Sequence, residues 1–102
     1  MDFESIGEII ATRTLYLIDD DNNKRPVSVF VGKPQASPTS FGYCCPYQII
    51  GIGSQKTQTA VGRDSIHALQ AALVLIAANL NNLNQEVGGK LTWEGERELG
   101  FP

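Results

Sequence analysis

Residues 64–84 constrain the fold of this chain more than any other stretch. Apolar side chains recur at Ile66, Leu69, Leu73, Ile76, Leu80 and Leu83, at spacings of 3, 4, 3, 4 and 3. An α-helix places such a series on one face. Asp64 supplies an N-cap, with Ser65 as the alternative, and no proline interrupts the run. Gly88-Gly89 supply a stop. About 21 residues at 1.5 Å each make a helix roughly 31 Å long, enough to cross a four-stranded sheet diagonally.

The opposite side of this helix is unusual. With Ile66 at 0° and about 100° per residue, Val74, Ala78, Ala71, Leu75 and Ala68 fall between about 80° and 200°, away from the leucine-isoleucine seam. No Asp, Glu, Lys or Arg occurs between Ser65 and Gln85. A helix apolar on nearly all sides is usually covered on nearly all sides. Two coverings are open. One is the C-terminal tail, packing through Leu91 and Trp93. The other is a second chain, most simply a homodimer across Ala68, Ala71, Val74, Leu75 and Ala78.

The residues before the helix read as strands. Residues 8–19 are rich in Ile, Leu, Thr and Tyr, and Val27, Val29 and Val31 alternate with Ser28 and Phe30. Asp20-Asp21-Asn22-Asn23 lies between the two runs as a turn, so together they form a hairpin. Residues 33–42 form a loop. Tyr43–Gly53 is a third strand, with Pro46 forcing an edge, a bulge or a later start. Thr57–Val61 is a short fourth strand. The expected fold is α+β: an antiparallel meander of three to four strands packed on one long helix. It forms a single domain over residues 1–102, with the meander at about 8–61, the helix at about 64–84 and a tail at 88–102.

Composition narrows the function classes. Eleven Asp+Glu against eight Lys+Arg give a net charge of −3, which argues against nucleic-acid binding by a basic face. No apolar run approaches the ~18 residues of a membrane span, the longest being Ala71–Ala78. The start, Met1-Asp2-Phe3-Glu4, lacks a basic segment leading into an apolar one, and Phe3 and Ile6 read as anchors of a short leader. The only cysteines, Cys44 and Cys45, are adjacent and on an extended chain point to opposite faces. Two free thiols fit a reducing cytoplasm.

Few side chains are arranged for chemistry. Cys44, Cys45 and His67 are too few, and the cysteines too close, for structural zinc. Asp19, Asp21 and Asn23 mimic the start of a calcium loop, but Lys24 and Phe30 stand where that loop needs its glycine and bidentate glutamate. Gly51-Ile52-Gly53 completes no nucleotide fingerprint. One Cys and one His do not make a nucleophilic site, and Glu94, Glu96 and Glu98 sit on a solvated tail. No cofactor is expected. Phe41, Tyr43 and Tyr47 cluster around the cysteines, so Tyr43, Cys45, Tyr47 and His67 form a second candidate patch, for a ligand or a protein partner.

Three segments together carry a family likeness. They are Cys45-Pro46-Tyr47-Gln48-Ile49-Ile50-Gly51-Ile52-Gly53, then Ser65–Ile76 with Ala68-Leu69-Gln70 inside it, then Leu91-Thr92-Trp93-Glu94-Gly95 with Leu99-Gly100-Phe101-Pro102. The set resembles a family of short, stand-alone bacterial proteins classed as a domain of unknown function. Cys44 departs from that pattern. The resemblance implies a bacterial, cytoplasmic, single-domain protein and no particular activity. The expected function is a small non-catalytic binding or assembly module that dimerises through its helix. The alternative is a small-molecule binder or enzyme with a groove between sheet and helix, walled by Cys45, Tyr47 and His67.

Overall fold

The alternating valines of the second run decide which face of the sheet is buried. In the computed structural model, which describes residues 6–37 and 42–102, Val27, Val29 and Val31 are all buried and Ser28 and Phe30 are not. The strands are β1 (Ile9–Ile18), β2 (Lys24–Gly32), β3 (Gln35–Ala36), β4 (Tyr43–Ile50), β5 (Gln58–Gly62) and β6 (Leu91–Thr92), with α1 (Ser65–Glu86) between β5 and β6. All pairings are antiparallel. β5 pairs with β4, β4 with β2, β2 with β1 and β1 with β6, while β3 continues the β2 side along the start of β4.

The α+β class and the meander agree with the sequence expectation, and the strand number corrects it. Among the described residues six strands are present rather than three to four. The two additions, β3 and β6, are each two residues long. Two residues are too few for alternation to register, so no periodicity announces them.

Register carries the buried face across the sheet. Leu15 lies opposite Val27, Val29 opposite Ile49, Val31 opposite Tyr47 and Cys45 opposite Ala60. Each of these residues is buried, and together with Ala68, Ala72, Ile76 and Leu80 of α1 they form the core. At the β1–β2 turn the Asp19 carboxylate accepts from the backbone N–H groups of Asp21 and Asn23, at 3.0 and 2.9 Å. Asn22 takes the left-handed conformation there. The calcium-like run is therefore a turn whose leading carboxylate already serves the backbone. Lys90 pairs with Asp20 and ties this turn to the segment before β6.

The helix begins as its sequence indicates. Asp64 is the N-cap, its Oδ1 accepting the His67 N–H at 2.8 Å. Beyond Glu86, the N–H of Val87 bonds to the Leu83 carbonyl and that of Gly89 to the Asn84 carbonyl, which closes the last turn. α1 then lies along the β4–β5 hairpin. Ala68 sits against Gly62, Asn79 reaches Gln58, and Leu83 packs on Gly53.

The rotation of the helix differs from the seam read in the sequence. The buried stripe is Ala68, Ala72, Ile76 and Leu80, while Ile66 is exposed. Close approach explains the shift. A methyl group on Gly62 would lie 2.8 Å from the Ala68 Cα, so the helix and β5 meet backbone to backbone. Only small residues fit that junction, and alanines displace the larger Ile66 from the core side.

Candidate interaction surface

The residues that the sequence places on the second helix face do not all stay together. Ala68 is fully buried against the sheet and is unavailable to a partner. Ala71 is half-buried, while Val74, Leu75 and Ala78 are exposed. Val61, at the exposed edge of β5, lines the same groove as Ala71, Val74 and Leu75. Val61 is 69% exposed, Ile66 66%, Val74 56% and Leu75 41%, values far above those of ordinary core aliphatics. Residues 57–61 show no apolar alternation that marks Val61 as exposed, and Ile66 was hidden by its place in the leucine series.

Val61, Val74 and Leu75 border an open groove of about 470 Å³ between α1 and β5. It is lined by Thr59, Ala60, Val61, His67, Gln70, Ala71, Val74 and Leu75. None of the eight carries a formal charge with His67 neutral. His67 stands at one end, its Nδ1 accepting the Arg63 N–H at 3.0 Å while its own backbone bonds to Asp64. The imidazole thus closes the first helical turn.

The C-terminal tail lies elsewhere. Arg97–Phe101 run beside Ala77, Leu80, Asn81 and Asn84, on a different flank of α1. Arg13 holds the tail there. Its guanidinium carbon is 3.9 Å from the centre of the Trp93 ring and 4.7 Å from that of Phe101, and Nη1 donates to the Leu99 carbonyl at 3.1 Å. Leu91 is in the core rather than on the second helix face.

The second candidate patch does not assemble as a surface. Cys45 and Tyr47 are 0% and 2% exposed, Tyr43 is half-buried, and His67 lies at the groove. Phe41 and Phe3 lie outside the described residues, while Ile6 is buried. The Tyr47 hydroxyl donates to Gln58 Oε1 at 3.1 Å and accepts from Asn79 Nδ2 at 3.0 Å. Asn79 also reaches Gln58 at 3.2 Å, so one polar triangle ties α1 to β4 and β5. Cys45 and Cys44 point to opposite faces, the first buried with its thiol toward the Gly32 carbonyl at 3.4 Å.

Burial raises the pKa of the Cys45 thiol above the ordinary range. It raises that of the Tyr47 phenol as well, and the Asn79 hydrogen bond offsets part of that rise. A buried thiol kept protonated is a poor nucleophile. The core favours the neutral form of both groups, so their folded pKa values exceed the unfolded ones. Their contribution to stability is full below the unfolded values, ~8.5 for thiol and ~10 for phenol, and is lost as pH rises through the folded ones. Urea midpoints measured from pH 7 to 11 are therefore expected to decline above about pH 9. Cys45→Ala should flatten the early part of that decline.

By length and composition α1 could cross a membrane, a test that the core helix of a soluble protein also passes. Among the described residues, no group of three or more His, Cys, Asp or Glu is placed to hold a metal ion. No curated protein and no solved structure matches the chain. The family described as a domain of unknown function, DUF6968, matches residues 11–102, and the chain belongs to it.

Proposed function

We propose that this chain is a small non-catalytic binding and assembly module that dimerises through α1. The observation that carries the reading is the uncharged apolar strip of Val61, Val74 and Leu75, which the protein's own tail leaves open. The short bacterial, cytoplasmic character implied by the sequence resemblance, with no nucleic-acid or membrane partner, belongs to the same proposal. The enzyme alternative loses support where it needs it most, because Cys45 and Tyr47 fill the core between sheet and helix.

Light scattering at micromolar concentration is expected to give twice the chain mass of 11.1 kDa. Val74→Asp should return the mass to that of one chain, because a desolvated, unpaired carboxylate costs several kcal/mol, more than about 100-fold in the dimer dissociation constant. A single-chain mass for the wild-type protein at 100 µM would end the reading.

A further inference from the structure

Two backbone hydrogen bonds of the β1–β2 ladder fix which residues of β2, β4 and β5 face each edge. The Asp19 N–H bonds to the Asn23 carbonyl at 2.9 Å and the Lys33 N–H to the Glu8 carbonyl at 2.8 Å. Odd-numbered residues of β2 therefore spend their backbone groups on β1, and even-numbered ones turn theirs toward β4, since bonded and non-bonded pairs alternate in an antiparallel ladder. Ser28 and Phe30 consequently bond with Ile50 and Gln48, their partners in register. Odd-numbered residues of β4 then face β5, pairing Tyr43 with Gly62, Cys45 with Ala60 and Tyr47 with Gln58. Two results follow. Pro46 turns its missing donor toward the junction of β2 and β3 and does not weaken β5. Thr59 and Val61 direct their N–H and C=O groups outward, away from β4.

Among the described residues β5 pairs with no strand but β4, and none of them covers this outward edge as a strand. Natural edge strands are commonly blunted by proline, lysine or inward charge. Gln58-Thr59-Ala60-Val61-Gly62 has none of these. The open edge and the apolar helix strip border one groove, so an occupant that fills it touches both.

We infer that the occupant is a second copy, joined through an antiparallel β5–β5 pairing centred on Ala60 that fuses the two sheets into one. This rests on the dimer reading above and specifies its geometry. The register that overlaps all five residues of β5 sets Ala60 opposite itself and Thr59 opposite Val61 of the second copy. The two outward-facing residues of each strand then bond with each other, and the side chains keep their faces.

Two observations favour a second copy over another partner. The first is spacing. α1 lies along the β4–β5 hairpin, so its axis stands over that strand pair. With strands about 4.8 Å apart, β5–β5 pairing brings the two helices to roughly 10 Å, within the range of packed helices. Ala71, Val74, Leu75 and Ala78 would then meet their own counterparts. The second is charge. A two-fold contact sets each group near its own copy, which penalises charge, and this strip is uncharged although the whole chain carries −3.

The test combines hydrogen exchange with edge variants. In wild-type protein at 200 µM, the Thr59 and Val61 amides should exchange at least about 100-fold more slowly than at a dilution where scattering reports single chains. Thr59→Pro and Val61→Pro each remove an outward donor and spare the ladder to β4. With unchanged circular dichroism, each should weaken the dimer roughly 100-fold, two bonds being lost by symmetry. If both amides exchange freely at 200 µM while Val74→Asp still splits the dimer, association runs through the helix alone, and the edge pairing is wrong while the dimer reading stands. If the wild-type protein is a single chain at every concentration, both readings fall. Single chains that sediment with phosphatidylcholine–phosphatidylglycerol vesicles would assign the strip to a lipid surface and likewise overturn the proposal.

Discussion

Gly62→Ala is expected to destabilise the protein by about 2–3 kcal/mol, through overpacking at a site with no slack. The added methyl would meet the Ala68 nitrogen, the His67 carbonyl carbon at 2.6 Å and the Ala68 Cα at 2.8 Å. These are backbone atoms of the first helical turn, so no side-chain rotation relieves the clash. β5 and α1 would have to separate, and the core made by Ala60, Ala68 and Ala72 would open. For a domain of this size the melting temperature should fall by roughly 10–20 °C. Gly89→Ala is the control. Nothing lies within 4 Å of its added methyl, but φ is +77°, so strain alone should cost about 1 kcal/mol. Equal losses for the two variants would show that the β5–α1 junction is not the tight point.

Arg13→Ala is expected to free the C-terminal tail and cost about 2 kcal/mol, from two ring contacts and a charged hydrogen bond, all partly exposed. Trp93 is the chain's single tryptophan and packs on this guanidinium, so its fluorescence emission should shift to longer wavelength as the ring meets water. Arg13→Lys keeps the charge and loses the flat stacking surface, so it should recover only part of the loss. Gly100 belongs to the same joint. Its φ of +82° and the Arg13 Nη1 atom, 2.6 Å from where a Cβ would sit, leave room for glycine alone. An unchanged emission spectrum in Arg13→Ala would show that the tail is held by other contacts.

The sequence made some of this visible, and the reasons are local. Val27, Val29 and Val31 announced the buried face because β2 is covered on one side only. Asp64 announced the helix start because few residue types satisfy the first free N–H groups. The rotation of α1 was not legible. A hydrophobicity pattern ranks Ile66 above Ala68, whereas the junction with Gly62 selects for size, and size needs the neighbour to be known. Arg13 was opaque for a related reason. A charged residue in a strand reads as solvent-facing, and its ring partners lie about 80–90 positions away in sequence. Of the expected interface, Val74, Leu75 and Ala78 lie exposed and Ala71 half-exposed, while Ala68 left for the core. Tyr47 combined an apolar ring with a hydroxyl that needed Gln58 and Asn79, so it entered the core with a polar tie.

β6 has a consequence for stoichiometry. It pairs with β1 at Tyr16 and Leu17, and the residues after it cross to Arg13. The tail thus covers the Tyr16–Leu17 end of the β1 margin, as a chain stopper covers a growing end, whereas among the described residues no strand lies along the outer margin of β5. In the language of polymer chemistry, the β5–β5 pairing proposed above would make β5 a monofunctional end. Under that proposal the end couples once with its own copy, so growth of the sheet there stops at a two-fold product.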